Sequence, residues 1–164
     1  MDYDVYVRDL DAQVDASMLE QVTDPARPDR GGFVSPADGM AGSINVTRAT
    51  SLAYAYLLEG SRHFRSPQLV ERIELVAEYG RRSRRPSGCF DLIVANFDSA
   101  PDTAFLVKGM APTVRRAREA AKAGDEGAAR IAQVLGELIH TAAPGIAAGG
   151  FHTPNHRWVI VAAL

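Results

Sequence analysis

Apolar residues recur along this chain at three- and four-residue steps, the period of a helix with one buried face. Over residues 4–22 the stripe is Val7, Leu10, Val14 and Met18, with Asp4, Asp9, Asp11 and Asp15 between them. Ser43 predicts the cap of a second helix reaching about Leu58, apolar on most sides and closed by Gly60. Ser66 and Pro67 open a third as cap and first helical residue. Its buried stripe is Leu69, Val70, Ile73, Val76 and Ala77, and Glu78 and Arg82 form an i,i+4 pair on its wet face. Residues 89–97 are too short for a helix and read as one extended segment. A helix restarts near Asp102, and Pro112 should break it near Ala111. The cleanest period in the chain lies at 125–141: Ala128, Ile131, Ala132, Leu135, Leu138 and Ile139. Pro144, Gly145, Gly149 and Gly150 should then turn the chain into a last helix, capped by Thr153, with Pro154 first and a buried run from Trp158 to Leu164.

The pattern therefore predicts an all-α protein of antiparallel helical hairpins with one short extended segment near 89–97. Strand–helix alternation, a Walker loop and a Gly-x-Gly-x-x-Gly fingerprint are all missing, which argues against a nucleotide-binding α/β fold. Residues 23–42, rich in proline and glycine, read as a long loop, either a lid or a plain surface excursion.

Composition narrows the function. The 164 residues suffice for one domain, with 46% hydrophobic and 23% charged residues. A net charge of −2 argues against a nucleic-acid partner. One cysteine, Cys89, allows no intrachain disulfide. No apolar run nears the roughly 18 residues of a membrane span. The acidic start, Met1-Asp2-Tyr3-Asp4, lacks the pattern of a signal peptide and favours the cytoplasm; removal of a leader would allow an extracellular or periplasmic site. The arginines at 81–85 and 115–118 read as solvated faces.

Two segments could carry chemistry. Asn155, His156 and Arg157 fall in the first turn of the last helix, with His152 just upstream. An amide donor, a group that exchanges protons near neutral pH and a guanidinium fork together suit an organic acid or acidic sugar at a helix N-terminus. The bland alternative is a cap, a packed ring and a surface ion pair. His152 and His156 have the four-residue spacing of helical zinc ligands, but the intervening Pro154 and the missing Glu of His-Glu-x-x-His argue against a metal. The second segment, Asn96 to Thr103, places Asn96 and Asp98 at the mouth of a helix, where Asp98, Ser99 and Asp102 could equally serve only as caps.

Pro86-Ser87-Gly88-Cys89-Phe90-Asp91, then Asn96-Phe97-Asp98-Ser99-Ala100-Pro101-Asp102-Thr103, then Gly-Gly-Phe-His-Thr-Pro-Asn-His-Arg-Trp from Gly149 resemble the N-terminal helical region of heparinase II/III-like polysaccharide lyases. The resemblance covers about half of the chain. It implies part of an incomplete (α/α) toroid, with residues 1–164 as one helical domain at the N-terminal end of a larger protein. The implied reaction is β-elimination on a uronic-acid glycan, without a cofactor. Asn155 and His156 would match the carboxylate-neutralising catalytic positions, and Arg157, His152, Asn96 and Asp98 would bind the sugar. Asp98 stands where a histidine is expected. The tyrosine that serves such lyases as base and acid is expected beyond Leu164, so this stretch alone should be inactive. The competing expectation is a non-catalytic helical domain that binds carbohydrate or protein. Self-association through the apolar last helix is also expected.

Overall fold

The computed structural model describes residues 2–34, 39–149 and 153–164. They form six α-helices, a short 3₁₀ turn and a two-stranded hairpin, in the order α1 (Tyr3–Glu20), 3₁₀ turn (Ser43–Arg48), α2 (Ala49–Leu57), α3 (Pro67–Ser83), β1 (Phe90–Leu92), β2 (Asn96–Ser99), α4 (Ala100–Lys122), α5 (Glu126–Ala148) and α6 (Pro154–Ala163). The fold is thus all-α with one short extended excursion.

The two longest helices form the centre. α4 and α5 are joined by only Ala123, Gly124 and Asp125, which forces them antiparallel. Gly124 takes φ +93°, and Asp125 caps α5 by accepting the Ala128 N–H at 2.9 Å. The α5 stripe is buried as its period predicts: Ile131 and Leu135 are wholly enclosed, and Leu138 is nearly so. Each such side chain contributes roughly 1.5–3 kcal/mol by leaving water. α3 and α2 close the other sides of the pair, α1 lies against α2, and α6 lies on α4.

Both internal prolines depart from expectation. Pro112 stays inside α4 and Pro144 inside α5. Each removes one backbone donor and faces solvent. On the opposite face Met110, Val114 and Ala117 of α4, and Ala142 and Ile146 of α5, stay in the core, and this packing carries the helix past the break.

Ser43 is not a helix cap either. It is buried, donates its hydroxyl hydrogen to the Asp91 carbonyl at 3.2 Å and accepts the Asp91 N–H at 3.0 Å, so it anchors the hairpin. The 23–42 loop is strapped down where it is described. Gln21 pairs with Phe33 and Val34 with Ala41 in isolated bridges, and Phe33 is fully buried. Gly31, at φ +90°, lies so close to α3 that a Cβ would meet the Leu75 carbonyl oxygen at 1.9 Å. Glu78 pairs with Arg30 at 3.8 Å, while Arg82 donates to the Arg30 carbonyl at 2.6 Å, in place of the Glu78–Arg82 pair.

The last helix runs from Pro154 as expected, but its apolar run is mostly exposed. Only Val159 is buried, whereas Trp158 is 77% and Val161 71% exposed. α6 packs along α4, but only the side of the apolar run that carries Val159 faces α4, and the rest points to solvent. No helix among the described residues is long and apolar enough to cross a membrane.

Candidate functional site

The hairpin is aimed by a polar clamp. Arg85 Nε donates to both Asp91 carboxylate oxygens, at 2.9 and 3.0 Å, and its Nη2 donates to Oδ2 at 2.6 Å. The hydrogen bond from Arg85 is the main reason the Asp91 carboxyl is held below the ordinary aspartate range, against the opposing effect of burial. Asp91 Oδ1 also accepts the Asp98 N–H at 2.7 Å across the hairpin. That bond holds Asp98 at φ +52°, a left-handed conformation that aspartate tolerates better than most residues. Phe90 and Ser99 pair directly, as do Leu92 and Asn96, with an irregularity in the ladder between them. The fully buried Thr103 hydroxyl accepts the Phe90 N–H at 2.9 Å and donates to the Ser99 carbonyl at 2.7 Å.

With its backbone fixed in this way, Asp98 places its carboxylate at the end of α4, where it accepts a hydrogen bond from the Ser87 hydroxyl. Asn96 donates its side-chain N–H to Asp102 at 3.2 Å. Ser99 caps α4 by accepting the Asp102 N–H at 3.4 Å, and donates its own hydroxyl to the Asp102 carboxylate at 2.5 Å. Capping therefore belongs to Ser99 and Asp102, while Asp98 is used differently.

Asn96, Asp98 and Ser87 line a cleft of about 520 Å³ whose opposite side is built by the end of α5 and the start of α6. Thr153 and His156 line that side. His156 is half-buried and meets the Phe105 ring of α4 edge-on, with centroids 6.5 Å apart. It lies in the first helical turn, where the helix dipole favours an anionic group. Gly145 makes the cleft possible. α5 passes so close to the 87–89 turn that a Cβ there would lie 2.5 Å from the Ser87 carbonyl oxygen and 2.8 Å from Cys89 Sγ. Cys89 is buried, and burial pushes its thiol pKa up, so it is a poor nucleophile.

The six sequence candidates divide clearly. Asn96, Asp98 and His156 line one cleft, although nearly sixty residues separate the hairpin from α6. Asn155 and Arg157 are exposed and do not line it. Asn155 instead accepts the Thr153 hydroxyl at 2.5 Å, so Thr153 sits at the cap position without using its side chain as a cap. His152 lies outside the described residues. Among the described residues no group of three His, Cys, Asp or Glu is arranged to hold a metal ion.

Several participants carried no sequence signal. Arg85 sits in a basic run that reads as solvated, yet it clamps Asp91 and lies 5.9 Å from the Phe97 ring centroid. Phe97 is 67% exposed on β2, the strand that carries Asn96 and Asp98, and offers an aromatic surface beside the polar lining. Only the hairpin shows that Arg85, Asp91 and Asp98 belong together. Comparison with known proteins found no matching family, no matching curated protein and no matching solved structure.

Proposed function

We propose that this cleft binds an acidic sugar, and that the chain is the glycan-binding part of a helical domain resembling the heparinase II/III-like lyases. The observation behind this reading is the convergence of the Asn96–Asp98 hairpin and His156 on one cleft. Asp98 and Asn96 suit sugar hydroxyls, Phe97 suits the apolar face of a sugar ring, and His156 suits a carboxylate.

In the proposed β-elimination, a hydrogen bond to the uronate carboxylate stabilises the negative charge that builds as the neighbouring carbon loses its proton. A base takes that proton, a carbon–carbon double bond forms, the bond to the leaving sugar oxygen breaks, and an acid protonates that oxygen. His156 is the lining group best suited to meet the carboxylate. No tyrosine is among the described lining residues, so the chain's own contribution is to bind and polarise the sugar. Asn155 and Arg157 enter this reading only as outer groups that a long glycan could reach.

One observation favours non-catalytic carbohydrate binding instead. Asp98 puts a carboxylate into the cleft, where it accepts hydroxyl hydrogens readily and opposes a second carboxylate nearby. The two readings separate in one experiment on the full chain, with a glucuronate-containing tetrasaccharide, a neutral tetrasaccharide and the variants Asp98→Ala and His156→Ala. The lyase-like reading expects preference for the acidic sugar, with that preference lost in His156→Ala. Equal binding of both sugars, lost in Asp98→Ala alone, supports the non-catalytic reading. Binding of neither sugar removes both.

A further inference from the structure

We propose that a groove half-way along α4, bounded by α1 and α2, is a second binding site, for an uncharged sugar ring. This inference stands whether or not the cleft takes an acidic glycan. The groove encloses about 670 Å³, within the ordinary range for small-molecule sites. One wall is Tyr6 of α1 and Tyr54 of α2, which meet edge-on with ring centroids 6.3 Å apart and are each 39% exposed. Burial, and then the neighbouring Tyr54 hydroxyl with which it hydrogen-bonds, raise the Tyr6 phenol pKa, so the Tyr6 hydroxyl stays neutral.

The facing wall is Gly109 and Pro112 of α4. Both weaken a helix, proline more than glycine. Neither is explained by packing. A Cβ on Gly109 would meet nothing within 4 Å, and its backbone is not in the left-handed region. Pro112 is exposed and leaves the Lys108 carbonyl without its usual helical donor. One effect shared by the two residues, three apart on one face, is a low wall beside the tyrosines.

The polar groups fit hydroxyls better than charges. Among the described lining residues Asp9 is the only formally charged one, so these residues offer no cation to an anionic ligand. Asp9 and Gln13 accept and donate along the rim. Thr50 and Ser51 complete the polar lining, the Thr50 hydroxyl being covered and without a hydrogen-bond partner among the described residues. An aromatic wall with hydroxyl-matching groups and no cation among the described lining residues suits a neutral sugar, whose C–H face packs on tyrosine while its edge hydrogen-bonds.

The test is a titration of the full chain with maltotriose, cellotriose and the glucuronate-containing tetrasaccharide, followed by NMR at the Tyr6 and Tyr54 rings. At least one neutral trisaccharide should shift both rings saturably at millimolar concentration, and His156→Ala should leave that binding unchanged. Gly109→Leu places a helix-favouring side chain in open space, so it should fold at least as stably as the parent while binding at least about tenfold more weakly. Gly109→Ala should fold more stably and still bind. Three results would overturn the proposal: no shift of the two rings by either neutral sugar, unchanged binding by folded Gly109→Leu, or a groove that takes only the acidic sugar.

Discussion

Two of the depressions along α4 are made in opposite ways. At its N-terminal end the cleft is built by addition: a bidentate Arg85–Asp91 pair, a left-handed Asp98, a Ser99 cap and a buried Thr103 hydroxyl hold three polar side chains at one edge. Half-way along, the groove is built by omission, since Gly109 lacks a side chain and Pro112 lacks a donor. A site made by addition should fail when any strut is removed. A site made by omission should fail only when something is put in.

The largest effects are expected where the cleft's backbone is tightest. Gly88 has φ +94°, and a Cβ would lie 2.0 Å from the Thr141 carbonyl oxygen. Gly88→Ala should therefore destabilise the fold by about 2–4 kcal/mol, read by chemical denaturation, through strain and displacement of α5. Gly145→Ala should follow, at about 1–3 kcal/mol, because it pushes the Ser87–Cys89 turn away from α5. If either variant is as stable as the parent, the close approach that shapes the cleft is wrong.

The clamp gives a pH signature. The folded pKa of Asp91 lies below its ordinary value, so its stabilising contribution is present above the ordinary aspartate range. It fades as pH falls through the ordinary value and is gone below the folded one. Asp91→Asn should be less stable than the parent at neutral pH, and the gap should close on acidification within that window. A gap that does not narrow in acid would show that the clamp acts through something other than the Asp91 charge. The smallest effect belongs to the groove: Gly109→Ala should raise stability by about 0.5–1 kcal/mol, with cleft binding unchanged. A loss of stability there would mean that the glycine is a packing requirement after all.

The same contrast explains what could be read from the chain alone. α5 was legible because Ala128, Ile131, Ala132, Leu135 and Leu138 repeat at the helix period and meet an equally regular α4. The stripe of α3 was legible for the same reason. Pro112 and Pro144 misled, because a local rule about one missing donor was outweighed by several buried neighbours on the opposite face. Ser43 misled because a hydroxyl that suits a cap also suits the hairpin backbone of Asp91, forty-eight residues away. At the site, Asn96, Asp98 and His156 stood out by residue type, but their meeting is a property of the tertiary fold. Asn155 and Arg157 stood out equally and face elsewhere, since adjacent positions on a helix turn by about 100° and cannot all face one cleft. The run from Trp158 to Leu164 was legible as apolar, but its burial was not, because burial depends on what packs there.

The most direct test of the central claim is an NMR titration of the full chain with the glucuronate-containing tetrasaccharide, observing the His156 ring together with the backbone amides of Asn96 and Asp98. The account predicts that all three respond with one common affinity and that His156→Ala weakens the response at the hairpin to that given by a neutral tetrasaccharide. A response confined to α6, or none at either wall, would contradict a shared acidic-sugar site between the hairpin and the last helix.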